Sequence, residues 1–276
     1  MPHFFINSQQ VNDSKISISD KENYFHIARS LRARTGERLL LIDENKIQYE
    51  TVIESITNDK ITAKIEKSYE SKRFLDFELY LAQSPLRSDA QNLLIEKATE
   101  LGVKGIYPVK TDNCALNNEM IDKKIDKWQK IMYESSKQCE RADIPKCYPR
   151  TTLEKLLSEN YFDKIMVFCE RIAAKTIRQS FEENPITKGD KVLVIIGPEG
   201  GFSQREFEWF NSPSPLAPQP YGIQSHTTRS SLVRTGIPKG AREDILEMLT
   251  LGDMILRAET ATTVALGNII YEYSNH

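Results

Sequence analysis

Hydrophobic and polar residues alternate with a period of two along the first quarter of the chain. Ile61, Ala63 and Ile65, for example, alternate with polar residues, which is typical of a half-buried strand. Runs of this kind, separated by turn-forming residues, cover residues 38–42, 46–56 and 60–67. The pattern predicts a small β-rich domain, a barrel or a sandwich, over residues 1–72.

From residue 74 onward the pattern changes to alternating strands and helices. Apolar runs that suit strands buried on both faces are separated by segments with a helical period. We predict strands at residues 77–82, 106–109, 164–168, 192–196 and 254–256, and a last helix at residues 258–273. Alternation of this kind predicts an α/β domain with a parallel sheet over residues 73–276.

A glycine-rich turn directly follows the apolar run 192–196. It reads G-P-E-G-G-F-S from Gly197 to Ser203, and Ser203 with Glu206 forms a capping box that starts a helix. Glycines let a ligand approach the main chain, and open α/β sheets bind ligands at the carboxyl ends of their strands. The turn lacks both the G-x-G-x-x-G spacing and the Gly-Lys-Ser/Thr of nucleotide loops. Glycine content alone leaves two interpretations open, a ligand-binding turn and a tight strand–helix turn.

Composition restricts the classes of function. A formal net charge of −2 excludes a strongly basic nucleic-acid binder but permits a local basic patch. The four cysteines form no C-x-x-C pair, which argues against zinc or redox chemistry, and we expect no metal. The N-terminus lacks the basic and long apolar regions of a signal peptide, and no run reaches the length of a membrane span. We therefore expect a cytoplasmic protein that binds no membrane.

A second motif changes the interpretation of the glycine-rich turn. Residues 251–261 read L-G-D-M-I-L-R-A-E-T-A. Together with G-P-E-G-G-F-S they resemble the RsmE family of bacterial 16S rRNA methyltransferases, which act on uridine N3 and belong to the SPOUT superfamily. Further family-like patterns are E-K-A-T-E-L-G-V at residues 96–103, Q-C-E-R at residues 138–141 with Ile144-Pro145, and His26 with Leu31-Arg32 and Gly36. The resemblance covers nearly the whole chain.

The resemblance implies a PUA-like β domain followed by an α/β domain with a deep trefoil knot, in a protein that works as a homodimer. It implies S-adenosylmethionine as the cofactor, bound in the knot. The implied partner is 16S rRNA of the small ribosomal subunit. Residues that match the family's cofactor pocket are Gly197, Pro198, Glu199, Gly200, Gly201, Leu251, Gly252, Ile255, Leu256, Arg257 and Ala258.

The implied reaction needs groups that handle a proton and a developing charge. N3 of uridine carries a proton, which a carboxylate could accept, and an arginine could stabilise the charge that develops on a ring oxygen. Glu199, Arg257 and Glu259 are the candidates because they stand in the two motifs. Glu259 has a second interpretation, in which its carboxylate caps the helix that it opens.

Clustered arginines indicate where RNA would bind. Residues 26–38 hold four arginines, three of which are Arg29, Arg32 and Arg34, and they lie in the PUA-like domain. Arg87 and Arg141 are further candidates because each lies in a family-like loop.

Two segments depart from the family pattern. Residues 111–114 read Thr-Asp-Asn-Cys where members usually carry an Arg-Ser pair, which weakens a substrate role for this loop. The connection at residues 211–245 is proline-rich and longer than the family's; it is a surface excursion, an added RNA contact or a disruption of the knot. Two other functions therefore stay open: a knotted methyltransferase acting on another RNA group, such as a ribose 2′-hydroxyl, and a non-catalytic RNA-binding or ribosome-assembly protein.

Overall fold

The structure is a computed structural model that describes residues 1–72, 74–159, 161–169, 173–211 and 245–275. Close contacts divide the chain into two compact units. The first comprises Met1–Leu75 and Met132–Pro145, and the second comprises Asp76–Ile131 and Lys146–His276. The sequence pattern did not indicate that Met132–Pro145 groups with the first unit, because helical periodicity does not reveal which body a helix packs against.

The first unit contains a six-stranded sheet. Its strands are β1 (His3–Phe5), β2 (Val11–Asn12), β3 (Lys15–Ile18), β4 (Arg38–Ile42), β5 (Ile47–Ile56) and β6 (Ile61–Glu70), in the order β1-β4-β5-β6-β3-β2. The β1–β4 pair is parallel and the other pairs are antiparallel. Short helical segments cover Ser8–Gln10, α1 (Lys21–Phe25) and a π-helical turn (His26–Ser30). The β-rich domain predicted for this region is confirmed.

Lys137 joins the segment Met132–Pro145 to the rest of the first unit. Its ammonium lies 3.2 Å from Nδ1 of His26 and over the rings of Phe4 and Tyr133. Glu134 lies 3.1 Å from the same ammonium, so this buried charge is paired. His26 therefore has a structural role in the packing of the first unit.

The second unit is built on an all-parallel sheet. Its strands are β7 (Glu78–Gln83), β8 (Gly105–Pro108), β9 (Lys146–Cys147), β10 (Lys164–Phe168), β11 (Lys191–Ile196) and β12 (Leu246–Leu249), in the order β12-β10-β11-β7-β8-β9. The helices that follow β7 in the chain are α2 (Ser88–Glu100), α3 (Asn118–Asp122), α4 (Ile125–Gln138), α5 (Leu153–Glu159), α6 (Ile177–Glu183), α7 (Gln204–Phe210) and α8 (Ala258–Asn275). Of these, α4 belongs to the first unit from Met132 onward. α8 packs against α2, α6 and β11. The predicted α/β class with a parallel sheet is confirmed.

The central strands form because their sequences are apolar on both faces. Residues 192–196 of β11 are at most 3% exposed, and every residue of β10 is buried. The strand predicted at residues 254–256 is wrong: the strand is β12, which pairs with β10 from Ile165↔Leu246 to Phe168↔Leu249. Met254 and Ile255 instead lie in the loop that follows β12 and are 77% and 65% exposed.

Most of the proline-rich connection lies outside the described residues. This segment, residues 212–244, includes the prolines and most of the insertion predicted at residues 211–245. The alternatives raised for this segment therefore lie outside the described residues. Among the described residues, no helix is long and apolar enough to cross a membrane.

Candidate active site

The glycine-rich turn forms a loop at the carboxyl end of β11, which we call the glycine loop (residues 197–202). Gly201 has a φ of +70°, a conformation that side chains disfavour. A Cβ atom at Gly197 would lie 3.1 Å from the ring of Phe202, so this position also favours glycine. The predicted capping box is confirmed: the amide of Glu206 donates to Oγ of Ser203, and the amide of Ser203 donates to Oε2 of Glu206. α7 therefore starts immediately after the loop.

The second motif forms another loop, between β12 and α8, which we call the arginine loop (residues 251–257). The amide of Gly252 donates to Oγ1 of Thr250, and the φ of +111° at Gly252 turns the chain. The amide of Ala261 donates to the carbonyl of Arg257 at 2.7 Å, which closes the first turn of α8. The loop thus runs from the end of a sheet strand to the start of the last helix.

The two loops enclose one pocket because of the strand order. β12, β10 and β11 are neighbours and parallel, so their carboxyl ends meet at the same edge of the sheet. The amide of Cys169, just after β10, donates to the carbonyl of Leu249 at the end of β12. The pocket has a volume of about 770 Å³, within the usual range for ligand sites.

The pocket wall combines an apolar floor with three charged side chains. Phe168 and Cys169 supply part of the floor, and burial raises the pKa of the Cys169 thiol to about 12. That thiol therefore stays neutral at physiological pH and is a poor nucleophile. Glu199, Arg257 and Glu259 all line the pocket; the first two are exposed and Glu259 is half-buried.

The structure brings together nearly all the pocket residues that were predicted from the two motifs. Of those residues, only Gly252 is absent from the wall, and it shapes the arginine loop instead. The wall also includes residues that the motifs did not indicate, and these are Ala90 of α2, Phe168, Cys169, Ile196 and Phe207. Phe168 and Cys169 could have been found from their position at the end of an apolar run beside that of β11. The assignment of individual residues to the cofactor stays a prediction.

The position of Glu259 is compatible with both predicted roles, the helix cap and the proton acceptor. It lies in the first turn of α8, where a carboxylate interacts favourably with the helix dipole. It also lies on the pocket wall, beside Arg257 and Ala258. The position therefore leaves its proton-accepting role as a prediction.

The predicted RNA contacts lie in different surroundings. Arg29, Arg32 and Arg34 are exposed on or just after the π-helical turn of the first unit. Arg87 is exposed at the N-cap of α2, three residues before Ala90 of the pocket wall. Arg141 is only 6% exposed, and its guanidinium lies 2.8 Å from Oδ1 of Asp143. This burial favours a structural ion pair for Arg141, and its RNA contact stays a prediction.

Within the described ranges, no group of three or more histidine, cysteine, aspartate or glutamate side chains is arranged to hold a metal ion.

A parallel sheet with a ligand-sized pocket at its carboxyl edge defines an α/β domain of the kind that binds a small molecule. Here it follows a β-rich unit with exposed arginines, which suits a protein that acts on nucleic acid. Residues 74–215 match a family model described as an RNA methyltransferase domain, and residues 18–66 match an RNA methyltransferase PUA domain. The chain belongs to this RNA methyltransferase family.

Individual relatives match over nearly their whole length. The chain is 24% identical to ribosomal RNA small subunit methyltransferase E of Bacillus subtilis, over 99% of this chain and 97% of the relative. It is 27% identical to the protein of the same name from Mesomycoplasma hyopneumoniae, over 98% and 99%.

Solved structures show the same fold. The crystal structure of ribosomal RNA small subunit methyltransferase E from Neisseria gonorrhoeae, bound to S-adenosylmethionine, matches with a TM-score of 0.72 at 21% identity. It covers 98% of this chain and 97% of that one. A candidate methyltransferase from Legionella pneumophila, solved with the same cofactor, matches with a TM-score of 0.74 at 24% identity, over 98% and 96%. These likenesses show that the chain has the same fold as these structures.

Proposed function

We propose that the protein transfers a methyl group from S-adenosylmethionine to N3 of a uridine in 16S rRNA of the small ribosomal subunit. The observation that carries the proposal is the pocket, whose two walls are the two motifs that first suggested the activity. The names of relatives that align over almost the full chain support the rRNA substrate. The choice of N3 rests on the family resemblance of those motifs.

The pocket has the chemistry that S-adenosylmethionine requires. Phe168, Leu251 and Leu256 offer apolar surface to an adenine ring, and the glycine loop exposes backbone groups that can bind its polar edge. Glu199 and Glu259 bring negative charge to a ligand that carries a sulfonium and an ammonium group. When bound, the cofactor supplies an electrophilic methyl group.

The charged residues of the wall account for the remaining chemistry. Glu199 or Glu259 accepts the N3 proton of the uridine, which frees the lone pair for attack. The guanidinium of Arg257 stabilises the negative charge that spreads onto the ring oxygens. Holding the nucleophile in line with the methyl group then supplies much of the rate enhancement.

RNA binding is assigned to exposed arginines in each unit. Arg29, Arg32 and Arg34 would contact backbone phosphates through the first unit, and Arg87 would contact RNA beside the pocket. We propose that the protein acts in the cytoplasm, where the small subunit is assembled, and that it does so as a homodimer.

The test is methyl transfer to small subunits purified from a strain that lacks this protein. With S-adenosylmethionine and the purified protein, mass spectrometry of the rRNA should show one new N3-methyluridine. Methylation of a ribose 2′-hydroxyl instead would favour the second enzyme hypothesis, and no cofactor binding by the folded protein would favour the non-catalytic one.

The role of Arg257 can be tested in the same assay. We expect Arg257→Ala to lower kcat by about 100-fold, as removal of one charge-stabilising donor usually does. Arg178→Ala is the matched control, because Arg178 lies on α6 and pairs with Glu272. An equal loss in both variants would show that the effect does not come from the pocket.

A further inference from the structure

The loop after β8 contacts the glycine loop at Gly200 and Gly201. We call residues 111–114 the anchor loop. The side-chain amide of Asn113 donates to the carbonyl of Gly201 at 3.1 Å, and a Cβ atom at Gly200 would lie 3.3 Å from Cβ of Asn113. The two loops are therefore in close contact, although Asn113 does not line the pocket.

Asp112 adds a second set of contacts, to the residues that follow the glycine loop. Its carboxylate accepts from Oγ of Ser203 at 2.6 Å and from the guanidinium of Arg205 at 2.7 and 3.0 Å. Its amide donates to Oε1 of Glu206, a buried carboxylate whose other oxygen accepts from the amide of Ser203. The capping box of α7 is thus shared with the anchor loop. The contacts of Arg205 and Ser203 lower the pKa of Asp112, so the carboxylate is ionised at neutral pH.

The anchor loop is itself held in one shape. Oγ of Ser84 and Oγ1 of Thr111 are 2.6 Å apart and buried, and the amide of Ser84 donates to the carbonyl of Ile196 at the end of β11. The ammonium of Lys110 donates to the carbonyls of Cys114 and Leu116. Ser84, which directly follows β7, therefore connects the end of β11 with the loop after β8 at the edge of the sheet where the pocket opens.

We propose that Asp112 and Asn113 are positioning residues that hold the glycine loop in its cofactor-binding shape before the cofactor arrives. This inference rests on the proposed function, because the loop they hold is one wall of the S-adenosylmethionine pocket. A wall that is already ordered loses less conformational entropy on binding, so it raises affinity without touching the ligand. The anchor loop thereby acquires a role in the reaction although neither side chain is part of the pocket wall.

The test measures cofactor affinity and loop exchange in the full-length protein. Calorimetry should show that Asn113→Ala weakens S-adenosylmethionine binding by roughly 5- to 10-fold, since one hydrogen bond is lost. Asn113→Asp keeps the size of the side chain but faces the Gly201 carbonyl with an acceptor, so we expect at least the same loss. Asp112→Asn should act in the same direction, and kcat at saturating cofactor should stay at the parent value, so that the change appears in KM.

A matched control separates positioning from general stability. Asp122→Asn disrupts another bidentate aspartate–arginine pair of the second unit, with Arg150, and should leave affinity unchanged. In cofactor-free protein, hydrogen exchange of residues 198–203 should rise in Asn113→Ala and not in the control. Parent affinity and parent exchange in all the anchor-loop variants would overturn the inference. If the parent protein bound no S-adenosylmethionine, the proposed function would fail, and the exchange comparison would still decide the role of the anchor loop.

Discussion

The two walls of the pocket are built in different ways. The glycine loop is held by Asn113 through Gly201, and Asp112 holds Ser203, which follows it. The loop continues directly into a capped helix. The arginine loop takes its shape from its own turn at Gly252, and it presents Met254 and Ile255 with most of their surface exposed. One wall is thus set by the fold, whereas the other offers apolar surface that a ligand or a second chain would cover. The affinity for the cofactor should therefore depend on the fixed shape of the glycine loop and on the apolar surface of the arginine loop that the cofactor covers.

The largest effect is expected from filling space in the first wall. Gly200→Val should weaken S-adenosylmethionine binding by more than about 100-fold, or about 3 kcal/mol, because the side chain collides with Asn113 and displaces the loop. Calorimetry gives the affinity. Gly267→Ala on α8 is the control, since its Cβ atom would meet nothing within 4 Å. Parent affinity in Gly200→Val would mean that the pocket has been misplaced.

A smaller loss is expected from straining the turn of the second wall. Gly252 has a φ of +111°, and Gly252→Ala forces a side chain into a conformation that costs about 1–3 kcal/mol. The arginine loop should therefore bind the cofactor about 10-fold more weakly. Unchanged affinity in the same calorimetric assay would show that the shape of this loop does not matter for binding.

The exposed apolar residues of the second wall should affect binding without affecting stability. Ile255 lines the pocket but is 65% exposed, so Ile255→Ser should change the free energy of unfolding by less than about 0.5 kcal/mol. Its affinity for S-adenosylmethionine should fall about 5-fold, because the cofactor no longer covers an apolar side chain. Denaturant unfolding and calorimetry measure the two quantities. A loss of stability equal to the loss of affinity would show that Ile255 stabilises the fold, in contrast to the role given to the second wall.

The smallest effect expected is that of pH acting through Asp112, which lies next to the first wall. Because the folded protein lowers the pKa of Asp112 below its ordinary value of 3.8, the contribution of this carboxylate is fully present above that value. That contribution is lost only as the pH falls through the lowered pKa. Asp112 should therefore cause no change in cofactor affinity between pH 8 and about pH 5. The parent and Asp112→Asn should show parallel affinity profiles across that range. A difference between the two that changes with pH in that range would contradict this assignment.

The sequence was most informative where local pattern decides the structure. The apolar runs of β10 and β11 and the capping box of Ser203 and Glu206 depend on neighbouring residues, and the structure confirms them. The strand expected at residues 254–256 was wrong because its apolar residues resemble a core strand while they face the pocket and solvent. Strand β12 is short, with four residues, and its pairing with β10 depends on tertiary structure.

Contacts between distant parts of the chain could not be predicted from pattern alone. Asn113 and Gly201 are 88 residues apart, and they meet only because β7 places β8 and β11 on its two sides. The departure from the family pattern at residues 111–114 suggested a weaker substrate role. In the structure, Asn113 bonds to the glycine loop and Asp112 bonds to the residues that follow it. Arg141, by contrast, pairs with Asp143 only two residues away, so this ion pair is a local feature of the sequence.

We propose that S-adenosylmethionine binds between the glycine loop and the arginine loop. Hydrogen exchange of the full-length protein, with and without saturating cofactor, tests it most directly. Both loops should gain protection, residues 251–257 should gain more than residues 197–202, and strands β1 to β6 should not change. Unchanged exchange in both loops, while calorimetry shows the cofactor bound, would contradict it.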